Sequence, residues 1–404
     1  MKEKQITAIA PGTQYPPSSG GSIRTYSILG NLSDEYTFRL ISHDVYIKKY
    51  RALTVFESSE SIEIPGSISH FFGGILFKLT GAEIGGIPRY FFSPLSPHLK
   101  KKYVSSAKAS NILFFESPWY ISLLKKIPNI KDKIVVYDAH NVEHDLAKMN
   151  FKTKFFRKKL LSSIYKIEKK TCEKSDIILV VSQEEKERFS KLYSVDYSKI
   201  YLAPNGVDVT SFSPASHEEK ANAKNKLDLK NKTLLFIGMK YGPNIEAGEY
   251  IINHLAPKLP EYTFVIAGRV CEKLNSTHNN VKLMGFVDDE TKSLLFNAAD
   301  AALNPISRGA GTNIKMLEYM AAGLPTFTTP LGARGLDLIN NKHAMIYPLE
   351  EFAVKIRELL TNDATYLNIR ENGRNLVEEK FSWNSISKNV AKIIKEKIST
   401  KTKD

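Results

Sequence analysis

A glycine-rich segment that leads into an apolar periodic stretch has the most specific chemical potential in this sequence. Gly309 and Gly311 lie at its start, and residues without a β-carbon let the backbone approach a ligand closely. The apolar spacing from Ile314 onward predicts a helix that ends near Gly323. Because free amides and the helix dipole favour negative charge at a helix start, the pattern predicts an anion site.

Charged side chains in this segment fit the same chemistry. Arg308 precedes the glycines, and Lys315 falls in the first turn of the predicted helix, where the dipole disfavours a cation unless an anion is bound nearby. Glu318 shares a helix face with Lys315 and can accept both hydroxyls of a ribose. A structural glycine loop with a solvated Lys–Glu pair gives the same pattern, so this segment alone leaves both interpretations open.

In the first half of the chain, polar residues follow predicted strands. Glu116 ends one such strand, His140 lies just past the next, and Gly20 and Gly21 lie between a diproline and a helix predicted to begin near residue 22. Ligands of parallel α/β sheets bind outside the carboxyl ends of the strands, which is where these residues fall. A plain glycine turn, a solvated carboxylate and a capping histidine are the alternative interpretations.

Short β-rich runs that alternate with helical patterns must position these residues. The runs are residues 6–10, 37–42, 111–116, 134–138, 177–182, 200–203, 233–238, 262–267, 281–284, 301–304, 326–329 and 344–347. Such alternation predicts right-handed crossovers and parallel sheets, and this many strands fit two sheets better than one. We therefore predict an α/β protein with two doubly wound, Rossmann-like domains that face each other across a cleft.

The domain boundary is predicted at the turn Pro204-Asn205-Gly206, because proline and Asn-Gly are turn signals. A chain of 404 residues is also too long for one ordinary core. The predicted domains are residues 1–205, residues 206–380, and a C-terminal helix with a tail, residues 381–404, that returns to the first domain.

Composition and charge narrow the class of protein. The net charge of +14 indicates a negatively charged partner, and the two distant cysteines indicate a reducing cytoplasm. The sequence contains no signal-like start and no apolar run of about 18 residues, so we expect a cytoplasmic protein. Asp288 and Asp289 fit a helix start better than a metal site, and we expect neither metal nor cofactor.

A basic amphipathic stretch accounts for much of the surplus charge. Residues 148–174 contain ten lysines or arginines against two glutamates, interleaved with apolar residues that include Phe151, Phe155 and Phe156. This pattern, with the apolar patch at residues 70–77, predicts peripheral binding to an anionic membrane surface. The alternative is a helix whose apolar face packs on the first sheet while its lysines are solvated.

Segments spread over nearly the whole chain resemble, in order and spacing, the motifs of the retaining glycosyltransferases of family 4, which have the GT-B fold. The segment 308–323 resembles their donor-binding motif. The other matching segments are residues 16–24, the Asp-Ala-His-Asn segment at 138–141, the turn at 203–208, the Gly-Phe-Val at 285–287 followed by Asp300, and the Phe-Ser-Trp at 381–383.

The resemblance implies that the second domain binds a nucleotide-sugar donor and the first binds the acceptor. It places Gly20 and Gly21 over the diphosphate and His140 beside the transferred sugar or acceptor, where it can hydrogen-bond a hydroxyl or stabilise developing positive charge. Glu116 is a second catalytic candidate. The donor-binding candidates are Gly20, Gly21, Lys240, Phe286, Val287, Arg308, Gly309, Ala310, Gly311, Thr312, Lys315 and Glu318.

The sequence departs from the family pattern in two places. The family often has two glutamates with seven residues between them; Glu318 matches the second, and Ala310 stands at the position of the first. Met239 and Asn244 replace the usual arginine and lysine after the first strand of the donor domain. The diphosphate contact is then expected from Lys315 together with the nearby arginine of the glycine segment, and Lys240 is either a third contact or a surface lysine.

The expected reaction is metal-independent transfer of a sugar, with retention of anomeric configuration, to a glycan or lipid-linked glycan. The acceptor hydroxyl attacks the face that the diphosphate leaves, and a donor phosphate oxygen takes its proton. Three alternatives stay open: an epimerase with the same fold, a non-catalytic sugar-nucleotide binder, and a nucleic-acid-binding protein, which only the positive charge favours.

Overall fold

The computed structural model describes residues 4–12, 14–17, 19–44, 47, 49–56, 59–66, 68, 71–75, 92–151, 157–309 and 312–401. The chain divides into two compact units. One comprises Met1–Pro204 with Ile386–Asp404, and the other comprises Asn205–Ser385.

The first unit contains a sheet of eight strands among the described residues. They are β1 (Gln5–Pro11), β2 (Thr37–Asp44), β3 (Arg51–Val55), β4 (Ser59–Pro65), β5 (Ile112–Phe115), β6 (Ile134–Ala139), β7 (Ile177–Val180) and β8 (Ile200–Leu202). Their spatial order is β3-β4-β2-β1-β5-β6-β7-β8. All neighbours are parallel except β3 and β4. The chain therefore reverses its winding direction between β1 and β5, which is where doubly wound sheets bind ligands.

Five helices are described between these strands. They are α1 (Gly20–Leu32), α2 (Pro97–Ala109), α3 (Glu143–Asn150), α4 (Arg157–Lys174) and α5 (Gln183–Tyr193). Apolar clusters line both faces of the sheet, so its central strands are buried on both sides, as their continuous apolar runs predict.

The second unit is a six-stranded, all-parallel sheet in its described part. Its strands are β9 (Thr233–Ile237), β10 (Thr263–Ala267), β11 (Val281–Gly285), β12 (Ala301–Asn304), β13 (Thr326–Thr328) and β14 (Met345–Ile346). The spatial order β11-β10-β9-β12-β13-β14 places the reversal of winding between β9 and β12.

Helices cover both faces of this second sheet. They are α6 (His217–Lys226), α7 (Gly242–Tyr250), α8 (Asp289–Ala298), α9 (Ile314–Ala321), α10 (Phe352–Leu360) and α11 (Asp363–Leu376), and α12 (Trp383–Lys401) then continues into the first unit. Among the described residues, no helix is both long and apolar enough to cross a membrane.

The predicted α/β class is confirmed, and each predicted β-rich run overlaps a strand. The sequence patterns do not predict β3 and β4, because polar residues interrupt the segment 51–65, in which no apolar run is longer than two residues. It also placed Gly20 and Gly21 before a helix. The structure includes both in the first turn of α1, because Ser19 and Ser22 form a reciprocal capping box there.

Candidate functional site

Residues at the carboxyl ends of β1, β5 and β6 converge in the first unit. Glu116 directly follows β5, His140 directly follows β6, and α1 begins after the loop that leaves β1. Because β1 and β5 flank the reversal of winding, these residues occupy the edge where the loops on either side diverge and leave room for a ligand.

A network of charged side chains connects these strand ends. The carboxylate of Asp138 accepts from Arg24 Nε at 2.9 Å and from Arg24 Nη2 at 2.6 Å, and both side chains are buried. Glu116 Oε2 lies 2.9 Å from His140 Nε2 and accepts from Thr25 Oγ1 at 2.8 Å. Asp138 Oδ2 lies 3.6 Å from the same imidazole nitrogen. His140 is therefore held between two carboxylates, and its side chain keeps 22% of its surface exposed.

The two carboxylates determine the charge of the imidazole. Burial lowers the pKa of His140, but hydrogen bonds and charge from Asp138 and Glu116 outweigh this effect and raise that pKa to about 9. Burial raises the pKa of Asp138, yet Arg24 and His140 together hold it well below its usual range. Burial raises the pKa of Glu116, partly offset by His140. At neutral pH the imidazole is thus protonated and paired with ionised Asp138.

The same three side chains meet the distance requirement for a metal site. Within the described part of the chain, Glu116, Asp138 and His140 each offer a ligand atom, and these atoms lie within 4.8 Å of one another. However, both oxygens of Asp138 already accept from Arg24, and Glu116 Oε2 serves a hydroxyl and an imidazole. The donor set therefore fits an ion-pair network better than a cation site.

The first turn of α1 packs against His140. A β-carbon added to Gly21 would lie 3.4 Å from His140 Nδ1, whereas one added to Gly20 would meet nothing within 4 Å. Within the described residues, no hydrogen bond is made by Nδ1, so this face of the imidazolium is available to a ligand. Gly21 keeps the approach to that nitrogen open, which gives it a steric role distinct from that of Gly20.

A buried glutamate from α4 holds the segment that carries His140. The helix α3 begins three residues after this histidine, and its N-cap residue Val142 has no capping side chain. The carboxylate of Glu168 caps the helix instead, because it accepts hydrogen bonds from the amides of Glu143 and His144, each at 3.0 Å. It also accepts from the hydroxyls of two tyrosines, Tyr137 and Tyr193. Four donors thus converge on one fully buried side chain.

The second unit carries a cavity of about 230 Å³ at the carboxyl ends of β9 and β12. Its lining includes five of the predicted donor-binding positions or their neighbours: Arg308, Gly309, Thr312, Asn313 and Lys315. Gly309 has a φ of +127°, a conformation that favours glycine. Ala310 and Gly311 lie outside the described residues. The cavity therefore occupies the reversal point of this sheet, as the sequence predicts for an anion site.

Lys315 is a partly buried cation that contacts no carboxylate within the described part of the chain. Its Nζ donates to Asn244 Oδ1 at 2.7 Å and lies 4.6 Å from the ring centroid of Phe236. Burial lowers the pKa of Lys315 to about 7, and the charge of Glu318 opposes that shift only partly. A negative ligand in the cavity would restore the full charge of this ammonium group, so the site favours an anion.

The other predicted cations are paired on the surface. Arg308 forms an ion pair with Glu246. Its guanidinium lies so close to Gly242 that a β-carbon added to this glycine would clash with it. Lys240 pairs with Glu272 at 2.8 Å, is about half exposed, and does not line the cavity. Of the two, Arg308 is thus positioned at the candidate anion site.

The remaining candidates lie around the cavity or beyond it. Glu318 is one turn along α9 from the lysine of the cavity and accepts from Lys292 at 3.2 Å. Phe286 is 73% exposed, with the guanidinium of Arg269 at 5.6 Å from its ring centroid, and Val287 packs on the core of the second unit. Asp288 lies at the start of α8, as the sequence predicts, and its side chain caps this helix by accepting from the amide of Thr291.

Comparison with known proteins identifies the family. The model described as Glycosyltransferase Family 4 matches residues 87–211, and the model described as Glycosyl transferases group 1 matches residues 231–362. A sucrose-phosphate synthase from Thermosynechococcus elongatus has a similar structure, with a TM-score of 0.70 at 16% identity over 98% of this chain and 100% of that one. Anabaena HepE in complex with UDP and glucose aligns with a TM-score of 0.67 at 14% identity, over 98% of this chain and 100% of that one.

Sequence relatives agree with this assignment. An uncharacterized glycosyltransferase of Methanocaldococcus jannaschii is 28% identical over 54% of this chain and 59% of that protein. The Escherichia coli UDP-Gal:alpha-D-GlcNAc-diphosphoundecaprenol alpha-1,3-galactosyltransferase is 30% identical over 54% of this chain and 58% of its own length. The match thus spans less than two thirds of either relative. The chain belongs to the group 1 glycosyltransferases of the GT-B fold.

Several contacts of this glycosyltransferase site could not be foreseen. Arg24 and Asp138 occur in two of the family-like segments, but 114 residues separate them, and no local pattern pairs them. Glu168 looked like one more charge in a basic helix. Its burial is indicated in the sequence only by its position on the apolar face of that helix, one turn beyond Ile164, which is also buried.

The basic stretch of the glycosyltransferase follows the packing alternative on its inner face. Ile164 and Cys172 of α4 are buried, and Leu160, Leu161 and Ile167 pack against the core of the first unit. Phe151 is only 4% exposed, which argues against a stacking surface for nucleic acid, while residues 152–156 lie outside the described part of the chain.

The protonation state of His140 is directly testable. We expect NMR titration of the imidazole to give a pKa of about 9 rather than 6.5, because two carboxylates contact it. Glu116→Gln should lower this pKa, and Glu184→Gln, at an exposed site on α5, should not. Since the folded pKa is raised, the stabilisation is complete below about pH 6.5 and is lost as pH rises through about 9. Titration of the wild-type imidazole near its unperturbed value would contradict the network.

The capping role of Glu168 predicts a large cost for its removal. Glu168→Ala leaves two amides and two hydroxyls without their acceptor, so we expect it to lower the free energy of unfolding by about 2 kcal/mol or more. Urea denaturation measures this loss. The matched variant Glu173→Ala, at an exposed site on the same helix, should change stability by less than about 0.5 kcal/mol. Equal effects of the two substitutions would refute the assignment.

Proposed function

We propose that this glycosyltransferase moves a sugar from a nucleotide-sugar donor to a glycan or lipid-linked glycan, with retention of configuration and without a metal ion. The observation that carries the proposal is the partly buried Lys315 at the cavity between the ends of β9 and β12, whose charge is balanced by no contacting carboxylate among the residues that the structure describes. A diphosphate is the anion that the family's donors contain, and it would balance this charge.

Several groups around the cavity support diphosphate binding. The amides at the start of α9 point along a helix axis toward its N-terminus, where the dipole favours phosphate oxygens. Arg308 lies at the rim, and its ion pair with Glu246 is exposed, so exchange for a phosphate contact costs little. Glu318 still has one carboxylate oxygen without a hydrogen bond among the described residues, which suits a ribose hydroxyl.

The first unit would supply the groups that act on the sugar. A protonated His140 donates hydrogen bonds and repels positive charge, so its favoured role is a hydrogen bond from Nδ1 to a hydroxyl or phosphate oxygen. Glu116 already accepts two hydrogen bonds, which suits a positioning role better than that of a nucleophile. Gly20 and Gly21, in the first turn of α1, remain candidates for closure over the diphosphate.

The bond changes then involve only the two substrates. The acceptor oxygen bonds to the anomeric carbon as the carbon–diphosphate bond breaks on the same face. The acceptor proton passes to a donor phosphate oxygen, and the nucleoside diphosphate leaves. Cations and amides around the diphosphate would stabilise the charge that develops on it.

Similar proteins suggest where to look for the substrates. Anabaena HepE has been solved with UDP and glucose, and the Escherichia coli relative is named for UDP-galactose and a diphosphoundecaprenol-linked acceptor. By analogy, we propose a UDP-sugar as the first donor to test and a lipid-linked diphosphate glycan as the first acceptor.

Thermal-shift measurements with UDP-, GDP-, ADP-, CMP- and dTDP-sugars test the donor site. One nucleotide should raise the Tm of the wild type, since a ligand at 100 times its Kd adds about 2.7 kcal/mol of stability. Lys315→Met should lose most of this shift, and Lys230→Met, an exposed lysine of the same unit, should keep it. The absence of a shift with every nucleotide would reject the donor proposal. With an active donor and acceptor, NMR of the new linkage tests retention.

We also propose that the outer face of α4 contacts an anionic membrane. Lys158, Lys159 and Lys166 are exposed there, and no ion pair to them is found among the described residues. Because the apolar face of α4 packs in the core, the attraction would be electrostatic. Phe71 and Phe72, exposed by 64% and 55%, could add apolar contacts, while residues 70, 76 and 77 of the predicted patch lie outside the described residues.

Co-sedimentation with vesicles of mixed neutral and anionic lipid tests this surface. Each lysine near an anionic membrane contributes about 1 kcal/mol, so replacing Lys158, Lys159 and Lys166 by Gln should weaken binding by about a hundred-fold. Binding should also fall with salt. The control replaces three exposed lysines of the second unit, Lys273, Lys342 and Lys380. Equal binding of the two triple variants, or no binding by the wild type at physiological salt, would reject the membrane surface.

A further inference from the structure

A second, larger cavity lies in the second unit, away from the candidate donor site. Its volume is about 750 Å³, within the range of small-molecule sites, and its lining includes Lys232 and Asp300. These residues directly precede β9 and β12, whereas the donor cavity lies where the same strands end. The two cavities are therefore at opposite edges of one sheet.

The floor of this cavity carries more positive than negative charge. Asp300 contacts two lysines, Lys220 at 2.8 Å and Lys224 at 2.7 Å, and also accepts from the amide of Thr233. Burial raises the pKa of Asp300, but the lysines outweigh that effect and lower it, so the carboxylate is ionised at neutral pH. In the lining of the cavity, Lys220, Lys232 and Arg370 face the two carboxylates of Asp300 and Asp363, which leaves a net positive charge to be neutralised.

An arginine at the side of the cavity lacks an acceptor. Arg370 is half-buried on α11, and among the described residues no hydrogen bond or ion pair to its guanidinium is found. Its position is fixed by packing, since Nε lies 3.2 Å from where a β-carbon on Gly323 would be. A guanidinium fixed in this way presents donors that match a phosphate or carboxylate.

Beside the arginine, the same helix contributes an apolar part of the lining that includes one aromatic ring. Tyr366 donates its hydroxyl to the carbonyl of Asp300 at 2.8 Å, which fixes the ring, and Leu367 beside it is 48% exposed. Leu360 completes this part of the lining from the end of α10. A ligand that fits must combine an apolar face with hydroxyls and a negative group. Sugar rings have an apolar C–H face and a polar rim, so an anionic sugar meets both requirements.

We propose that this cavity is a second binding site for an anionic carbohydrate, a sugar that carries a phosphate or a carboxylate, with Arg370 as its anion contact. The site is independent of the proposed donor site, because none of its lining residues lines the donor cavity.

Calorimetric titration of the full chain with glucose 6-phosphate, glucuronic acid, glucose and inorganic phosphate tests the proposal. At least one of the two charged sugars should bind, which also distinguishes phosphate from carboxylate as the anionic group. Glucose and inorganic phosphate should each bind about ten-fold more weakly, because each lacks one half of the recognised chemistry.

Variants locate the binding. Arg370→Gln should weaken it about ten-fold or more, as expected for the loss of a charge-assisted contact. Leu367→Asp, at an exposed position, should weaken it through charge repulsion and serves if the arginine variant does not fold. Arg357→Gln, an exposed arginine on α10 outside the cavity, should not change it. Lys315→Met should leave it unchanged, because that residue belongs to the donor cavity.

Three results would overturn the proposal. They are no binding of either charged sugar, binding that Lys315→Met abolishes and the cavity variants do not, and inorganic phosphate binding as tightly as the sugar phosphate.

Discussion

The buried ion pair between Arg24 and Asp138 is the interaction on which the first unit's site depends. Two parallel hydrogen bonds join the guanidinium to the carboxylate, and the third arm of the guanidinium donates to the carbonyl of Pro204 at 2.9 Å. One side chain thus connects the first helix, the end of β6 and the last residue of the unit's N-terminal segment. Loss of one partner would leave the other charge buried, which typically costs about 3–5 kcal/mol.

This pair also explains why His140 is positively charged. Because the guanidinium keeps Asp138 ionised, the imidazole two residues later is always near a negative charge, and Glu116 adds a second. Burial alone would have produced a neutral histidine. The cation that the site offers to a ligand is therefore a consequence of an arginine that does not need to touch that ligand.

The two units differ in whether the charged side chains of their candidate sites are paired with opposite charges. In the first, Arg24, Asp138, His140 and Glu116 neutralise one another within a single network. In the second, Lys315 is partly buried, and among the described residues its ammonium group contacts an amide oxygen and an aromatic face but no carboxylate. The first arrangement is complete without a ligand, while the second remains electrostatically unbalanced. An unbalanced buried cation is a stronger indication of a binding site than a paired one.

Sequence patterns predicted the fold well because the central strands of both sheets are parallel and buried, so most of these strands are continuous apolar runs. The edge strand β3 and its neighbour β4 were not predicted because polar residues interrupt the apolar run of each. For the candidate site, local motifs pointed to Glu116, His140 and Lys315, whose roles stay predictions. Their partners were not predictable, since Arg24 and Asp138 meet only after the chain folds across more than a hundred residues.

The helix α4 shows a limit of a different kind. Its amphipathic pattern predicts an apolar face but not what covers that face, and a sheet or a membrane would select the same residues. Burial of Ile164, Thr171 and Cys172 decides in favour of the sheet. Glu168 is buried on the same face, and the four hydrogen-bond donors that converge on its carboxylate offset the cost of that burial. These donors come from other segments, so the helical periodicity of the sequence does not predict them.

The departure from the family pattern at Asn244 has a structural counterpart in α9. The family's loop lysine is absent at this position, yet an ammonium group still lies beside it, because Lys315 reaches from the helix to within 2.7 Å of the asparagine oxygen. A lysine at 244 would place two cations at that distance and oppose the burial of both. An asparagine in the loop is therefore compatible with a lysine on the helix, and together they keep one ammonium group in the cavity at the ends of β9 and β12.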